Sequence, residues 1–172
     1  MPKLLDQLLR PIAGRAETGQ WIQVTTADPV TGAVELVEFR TEGGRFNPPE
    51  SFPVAYLAKV TDGGRETMCR FIVNETTMDA KFVILILEIN LGKVLDLSLA
   101  SIRKSLGISL ADLTQPEGFT LSQSIGLAAH EAGFEGIIYP RALGRGARNL
   151  AIFCDRAGPA EISIVGAGGL ES

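Results

Sequence analysis

Histidine, cysteine and long apolar runs are all scarce in this 172-residue sequence, and each shortage excludes a class of protein. The single histidine, His130, has no second histidine or cysteine at metal-ligand spacing, so no metal cofactor is expected. Cys69 and Cys154 each lie in an apolar stretch and are expected to be buried free thiols. The most apolar run, residues 82–89, is too short to cross a membrane.

Positive charge is not in excess either. The chain carries 16 Lys and Arg against 20 Asp and Glu, a net charge of −4. This balance gives no general attraction to DNA or RNA, although a local basic pocket for a small anion is compatible with it. Asp6 and Arg10 interrupt the first apolar stretch, so no signal peptide is expected. We therefore expect a cytoplasmic protein that binds neither nucleic acid nor membrane.

The chain has enough apolar residues, 45%, to bury a core in one domain. Hydrophobic periodicity and turn residues predict a single mixed α+β domain over residues 1–172, with central β-sheets, flanking short helices and a core at about 20–165. Strands are predicted at residues 21–25, 34–39, 54–58, 81–89, 94–97, 136–139, 150–154 and 162–165. Helices are predicted at residues 1–14, 65–73, 98–106, 110–113 and 120–132.

Five local features refine this prediction. The first two strands could form a hairpin, and Gly92 is interpreted as a turn between the fourth and fifth. Thr120 is the expected N-cap of the last helix and Gly133 its left-handed stop. The glycine-rich residues 166–172 are expected to fray.

The most informative segment is Gly43-Gly44-Arg45-Phe46-Asn47-Pro48-Pro49. Two glycines allow the backbone to approach a ligand closely, and an arginine can bind a phosphate through two hydrogen bonds. Tyr56 follows on a predicted short strand. A strand-borne aromatic ring beside an anchored arginine suits a planar substrate that carries phosphates. The alternative is a surface turn with a solvated arginine.

Two further residues have a functional and a structural interpretation. Glu66, at the start of a predicted helix, could stabilise an oxocarbenium-like transition state or could simply favour the helix N-terminus. His130, late in a helix, is better explained by the helix C-terminus than by catalysis.

Taken together, six segments in order resemble the RES-domain family over about Glu38 to Cys154. They are residues 43–49, residues 56–58, residues 94–97, residues 106–108, Gln123 with residues 132–140, and residues 148–153. The resemblance implies a fold similar to ADP-ribosyltransferase toxins. It also implies an enzyme that takes NAD as substrate and breaks its nicotinamide–ribose bond, with phosphate, water or a target protein as acceptor. The implied partners are a helix-turn-helix antitoxin of the Xre type and, as a homodimer, a second copy of the chain.

The same resemblance assigns catalytic roles to Arg45, Tyr56 and Glu66. Arg45 would bind the pyrophosphate, Tyr56 would stack against the nicotinamide, and Glu66 would stabilise the ribosyl cation. The nucleotide-binding residues implied around them are Arg40, Asn47, Gln123 and Arg141.

The chain departs from the family pattern at three places. The family glutamate falls on Thr67, one step beyond Glu66, and alignment on Glu66-Thr67 moves the position to Arg70 or Phe71. The family serine after Tyr139-Pro140 is replaced by Arg141. The early family arginine has no direct match, with Gln23 near its place and Arg40 as a substitute. Two alternatives to the enzyme follow: a RES-like domain that binds a nucleotide or a partner without catalysis, and an interaction module similar in fold alone.

Overall fold

The fold was obtained as a computed structural model that describes residues 2–59, 82–116, 118–141, 147–158 and 160–169. Within these residues lie six strands: β1 (Arg15–Thr26), β2 (Val54–Lys59), β3 (Phe82–Asp96), β4 (Gly136–Pro140), β5 (Arg148–Phe153) and β6 (Ile162–Gly169). The same residues form four helices: α1 (Pro2–Leu9), α2 (Ala100–Leu106), α3 (Leu110–Thr114) and α4 (Thr120–Glu131). The predicted mixed α+β class is confirmed. The predicted helix at 65–73, with Glu66, lies outside the described residues.

Five of the strands close into a ring. The pairings run β1–β2, β2–β5, β5–β4 and β4–β3, and β3 pairs back to β1. The long strand β3 makes this closure because it carries β1 along one edge. Its other edge is therefore shared by β6, at residues 83–89, and by β4, at residues 94–96. Of these contacts only β3–β4 is parallel.

The predicted turn at Gly92 is wrong, since β3 runs through this residue. The reason is a side chain distant in sequence. Glu135 Oε1 accepts hydrogen bonds from the backbone N–H groups of Gly92 and Lys93, each at 2.9 Å. Backbone donors satisfied in this way do not require the chain to turn. Two predicted strands are consequently one.

The predicted hairpin is also wrong, because β1 pairs with β2 and β3 instead. Residues 34–39 form no strand, apart from a bridge between Phe39 and Val54. The side chain of Gln23 explains the difference. It accepts a hydrogen bond from the N–H of Val37 at 2.7 Å and donates to the carbonyl of Val37 at 3.0 Å. A buried amide thus makes the two bonds that a neighbouring strand would have made.

Toward the C-terminus the observed helix and strand boundaries differ less from the predicted ones. Thr120 is the first residue of α4 rather than its cap, a position taken by Phe119, while Gly133 has the predicted positive φ of 86°. Residues 166–169 are not frayed, because they pair with β3 at residues 83–86. At Cys154 the thiol is free but only half-buried, and Cys69 lies outside the described residues.

The core has two main parts, one on each side of the β-ring wall. One contains Trp21 and apolar side chains of β2–β5, including Leu57, Leu85, Leu87 and Ile152. The other lies under the helices and contains Leu9 of α1, Ile125 of α4 and Phe46 of the 43–49 loop. Phe46 is the middle residue of the loop and is fully buried there. It therefore anchors the loop to the helical side of the core.

Candidate active site

The 43–49 loop is a tight turn that depends on its glycines. Gly43 has a φ of 69°, and the N–H of Gly44 donates to the carbonyl of Asn47 at 2.9 Å. A Cβ atom at Gly43 would lie 2.6 Å from that carbonyl oxygen, and one at Gly44 would lie 2.6 Å from the ring of Tyr56. Larger residues therefore fit at neither position, and the ring of Tyr56 packs directly on the loop backbone.

Tyr56 holds this loop with its hydroxyl group. The oxygen accepts a hydrogen bond from the N–H of Phe46 at 2.9 Å, and the hydroxyl donates to Asn47 Oδ1 at 2.5 Å. Burial raises the pKa of Tyr56 above its ordinary value. The phenol is therefore neutral at physiological pH and is oriented from both sides.

Asn47 supports the loop from beneath. Its side chain is fully buried, and Nδ2 donates to the carbonyl of Phe39 at 2.7 Å and to that of Phe52 at 3.0 Å. With Oδ1 occupied by Tyr56, each polar atom of this amide is bonded within the protein. Asn47 thus contributes to the site through the loop.

Helix α4 presses against the same loop from another side. Gln123 Nε2 donates to the carbonyl of Gly44 at 3.0 Å. One turn further on, a Cβ atom at Gly126 would overlap the carbonyl of Phe46. The helix can approach so closely only because this position is glycine.

Arg45 projects from the supported loop. Its Nη2 donates to the carbonyl of Gln115 at 2.5 Å, and its guanidinium lies 4.5 Å from the ring centre of Phe119. Its Nη1 is buried and has no hydrogen-bond partner within the described part of the chain. Burial lowers the pKa of Arg45, but a guanidinium stays charged in proteins. Burying a cationic donor without an acceptor costs free energy. The unpartnered Nη1 therefore favours an anionic ligand as its acceptor.

A small cavity of about 260 Å³ opens beside this arginine. The cavity is open, and three aromatic rings and the glycine backbone line it together with Arg45; the lining residues are Phe39, Gly43, Gly44, Arg45, Tyr56 and Phe119. Flat aromatic walls next to a cation suit a planar ring attached to a negatively charged group.

A second tyrosine lies close enough to the arginine to interact with its charge. Tyr139 on β4 is buried, packs edge-on against Phe46 at 4.7 Å and interacts with the charge of Arg45. Burial raises the pKa of Tyr139 to about 12, against a smaller opposing effect of its hydrogen bond with Asn149. Its hydroxyl is therefore a neutral polar group near Arg45.

The other predicted site residues are placed differently. Arg40 is exposed, with its carbonyl accepting from the N–H of Glu50 at 2.7 Å. Arg141 is half-buried just after β4, where its N–H donates to Ala147 at 2.9 Å and burial lowers the side-chain pKa. Neither residue lines the cavity. Glu66 lies outside the described residues, so the cavity brings together Arg45 and Tyr56.

Sequence reasoning missed three aromatic contributors, namely Phe39, Phe119 and Tyr139. Tyr139 was part of a recognised segment, but Phe119 follows a proline- and glycine-containing stretch with no motif of its own. The single histidine, by contrast, lies outside the cavity lining. Its ring stacks on Phe52 at 4.1 Å, and Nε2 lies 2.8 Å from Asp155.

The RES domain family model matches residues 12–168, which covers the loop, the cavity and the strand ring. The chain belongs to the RES-domain family. The RES fold is also seen in a crystal structure of the M. tuberculosis MbcT–MbcA toxin–antitoxin complex, whose matching chain has a TM-score of 0.80 and 21% sequence identity. That match covers 98% of this chain and 92% of the other. At this identity the similarity establishes the fold.

Two further findings complete the comparison. No curated protein sequence matches this RES chain. Among the helices of the described residues, none is long and apolar enough to cross a membrane.

Proposed function

We propose that this RES-domain chain binds NAD and breaks its nicotinamide–ribose bond, as an NAD phosphorylase or glycohydrolase or by ADP-ribosyl transfer. The observation that carries the proposal is the buried, unpartnered Nη1 of Arg45 beside a cavity walled by aromatic rings. NAD joins a charged pyrophosphate to flat rings, and a cation beside aromatic rings can contact both kinds of group.

In this proposal each residue has a separate task. Arg45 binds the pyrophosphate, and Tyr56 offers its ring to the nicotinamide while its hydroxyl fixes the loop. Glu66 stabilises the positive charge that develops on the ribose as nicotinamide leaves. Asn47 and Gln123 act through the loop. Arg40 and Arg141 remain candidate phosphate contacts outside the cavity lining.

The test is incubation of purified protein with NAD, with and without inorganic phosphate, while nicotinamide release is measured. Arg45→Met should lower kcat/KM about 10-fold to 100-fold, since it removes charge-assisted hydrogen bonds. Arg156→Met is the matched control, because Arg156 is exposed and does not line the cavity. Glu66→Gln tests the assigned carboxylate. Absence of release from the wild type, in an assay where a RES toxin is active, would contradict the proposal.

A second candidate function is nucleotide binding without catalysis. It is favoured by Arg141, which stands after Tyr139-Pro140 in the place of the family serine. Calorimetry with NAD and ADP-ribose separates the two functions. Binding without nicotinamide release supports the second, and turnover rules it out.

We also propose a protein antitoxin as partner. The support is the toxin–antitoxin complex among the structures that share this fold. Expression of the chain alone should arrest bacterial growth, and co-expression of an adjacent Xre-type reading frame should restore it. Homodimer formation is a separate proposal, which light scattering at several concentrations tests directly.

A further inference from the structure

Phe119 is the aromatic side chain that contacts Arg45 from outside the loop. Its ring centre lies 4.5 Å from the guanidinium carbon, which is within the range of a favourable cation–π contact. The neighbouring carbonyl of Gln115 accepts from Nη2. One short segment before α4 thus supplies both contacts to this arginine.

These contacts restrict where an anion can meet Arg45. The Phe119 ring lies against the guanidinium, so an anion is expected to meet the N–H groups that the ring leaves free. Gln115 takes one N–H of Nη2, so among the described residues the unpartnered Nη1 and the Nε–H remain as donors for an anion. The contact with the ring limits how far the Arg45 side chain can rotate, so it restricts the orientation of these N–H groups.

The surroundings of Phe119 argue against a purely structural role. The side chain is half-buried and does not belong to any of the core clusters that the described residues form. It lines the cavity instead, together with the loop glycines and Tyr56. An aromatic ring in this place contributes little to the core and contacts the cation directly.

We infer that Phe119 is a positioning residue, which holds the guanidinium of Arg45 in the orientation that binds a pyrophosphate group. The inference rests on the proposed function in one respect, namely that Arg45 contacts the pyrophosphate of the ligand. The alternative roles are direct stacking of Phe119 on a ring of the ligand, or a cover that the ligand must displace.

The test compares two ligands, because only one of them has rings. Calorimetry measures the dissociation constants of ADP-ribose and of inorganic pyrophosphate for wild type, Phe119→Leu and Phe119→Tyr. We expect Phe119→Leu to weaken both ligands by a similar factor, about threefold to tenfold, because the cation–π contact is lost. Phe119→Tyr keeps the ring and should stay within about twofold of the wild type. Phe119→Met replaces the leucine variant if thermal unfolding indicates misfolding.

A double-mutant cycle then asks whether Phe119 acts through Arg45. In an Arg45→Met background, Phe119→Leu should cause no further loss of affinity. Leu127→Ala is the control, since this side chain is 40% exposed on α4 and does not line the cavity. If nicotinamide is released, the loss should appear in KM rather than in kcat.

Several outcomes would overturn the inference. A loss for ADP-ribose alone indicates direct stacking, and tighter binding by Phe119→Leu indicates a cover. An equal loss with and without Arg45 indicates a role independent of the arginine, and a wild type that binds neither ligand removes the basis of the inference. A different outcome would reject only the proposed function. In that case pyrophosphate binds and Phe119→Leu causes no further loss in the Arg45→Met background, but no nicotinamide is released.

Discussion

At the scale of single residues, the site depends on contacts that allow almost no change in side-chain size. Gly43 and Gly44 leave room for backbone and for the ring of Tyr56, and Gly126 leaves room for the carbonyl of Phe46. The first two glycines could be predicted, because they stand beside an arginine in a turn-forming stretch. Gly126 could not be predicted, since its contact is made by a loop far away in sequence.

Gly126→Ala should therefore destabilise the protein although alanine is the better helix former. The added Cβ would overlap the Phe46 carbonyl, and such overpacking typically costs about 1–3 kcal/mol. Urea unfolding measures the loss, and nicotinamide release should fall with it because the Arg45 loop is displaced. Gly168→Ala is the matched control, since nothing lies within 4 Å of a Cβ there. Equal stability of the two variants would disprove the close contact.

The buried Tyr139 predicts a loss of stability in alkali. Its pKa is about 12 in the folded protein and about 10 in an unfolded chain. Between these values the unfolded state has released the proton and the folded state has kept it, so the free energy of unfolding falls as pH rises. In that window the free energy of unfolding should fall by about 1.4 kcal/mol per pH unit because of Tyr139. Below about pH 10 both states keep the proton, so this residue adds no pH dependence.

The measurement is urea unfolding from pH 8 to pH 11 for the wild type and for Tyr139→Phe. A Cys154→Ala background removes a second contribution, because burial raises the pKa of that thiol to about 12. The two proteins should differ in slope above about pH 10. Parallel curves would show that Tyr139 ionises in the folded state as it does in water.

At the scale of elements, side chains decide where strands run. Glu135 lets β3 continue through Gly92, and Gln23 replaces a strand beside β1. The predictions of a turn at Gly92 and of a hairpin failed for this reason. Local sequence identifies a glycine as a turn signal, but it cannot reveal that a distant carboxylate or amide will bond the same backbone groups.

Glu135→Ala tests this explanation of β3. Two backbone N–H groups, of Gly92 and Lys93, would lose their acceptor, at a cost of about 1–2 kcal/mol because one of them is partly exposed to water. Glu135→Gln retains a carbonyl oxygen and should lose less. Amide hydrogen exchange at residues 92 and 93 should speed up in the alanine variant. Glu88→Ala, on an exposed position of β3, should leave exchange and stability unchanged.

At the scale of the whole molecule, the ring closes where β1, β3 and β4 meet. Arg15 pairs with Val94 in register, and its guanidinium contacts Asp96 at 2.8 Å and Glu17 at 3.1 Å. Asp96 is 5% exposed, pairs with Ile138 of β4 and accepts from the N–H of Ser98 at 3.0 Å. The ion pairs thus join β1 to β3, and the same aspartate pairs with β4 through its backbone and binds Ser98 before α2.

Asp96→Asn should lower the free energy of unfolding by about 1–3 kcal/mol, since the charge that faces Arg15 is lost. The loss stays moderate because the Arg15 side chain is 37% exposed and can be solvated. Unfolding should remain a single transition because the ring closes as one unit. A double-mutant cycle of Asp96→Asn with Arg15→Met measures the interaction energy of this ion pair. Additive losses of stability would show that the pair contributes nothing.

The sequence by itself determined the mixed α+β class, most element positions, the family, and the loop that carries Arg45 and Tyr56, because periodicity, turn residues and short motifs are local properties. Only the tertiary structure decided that the strands close into a ring, that Asn47 and Gln123 support the loop, and that Phe119 packs on Arg45. Those features are contacts between residues far apart in the chain. Their partners are selected by packing and by the need to satisfy buried polar groups.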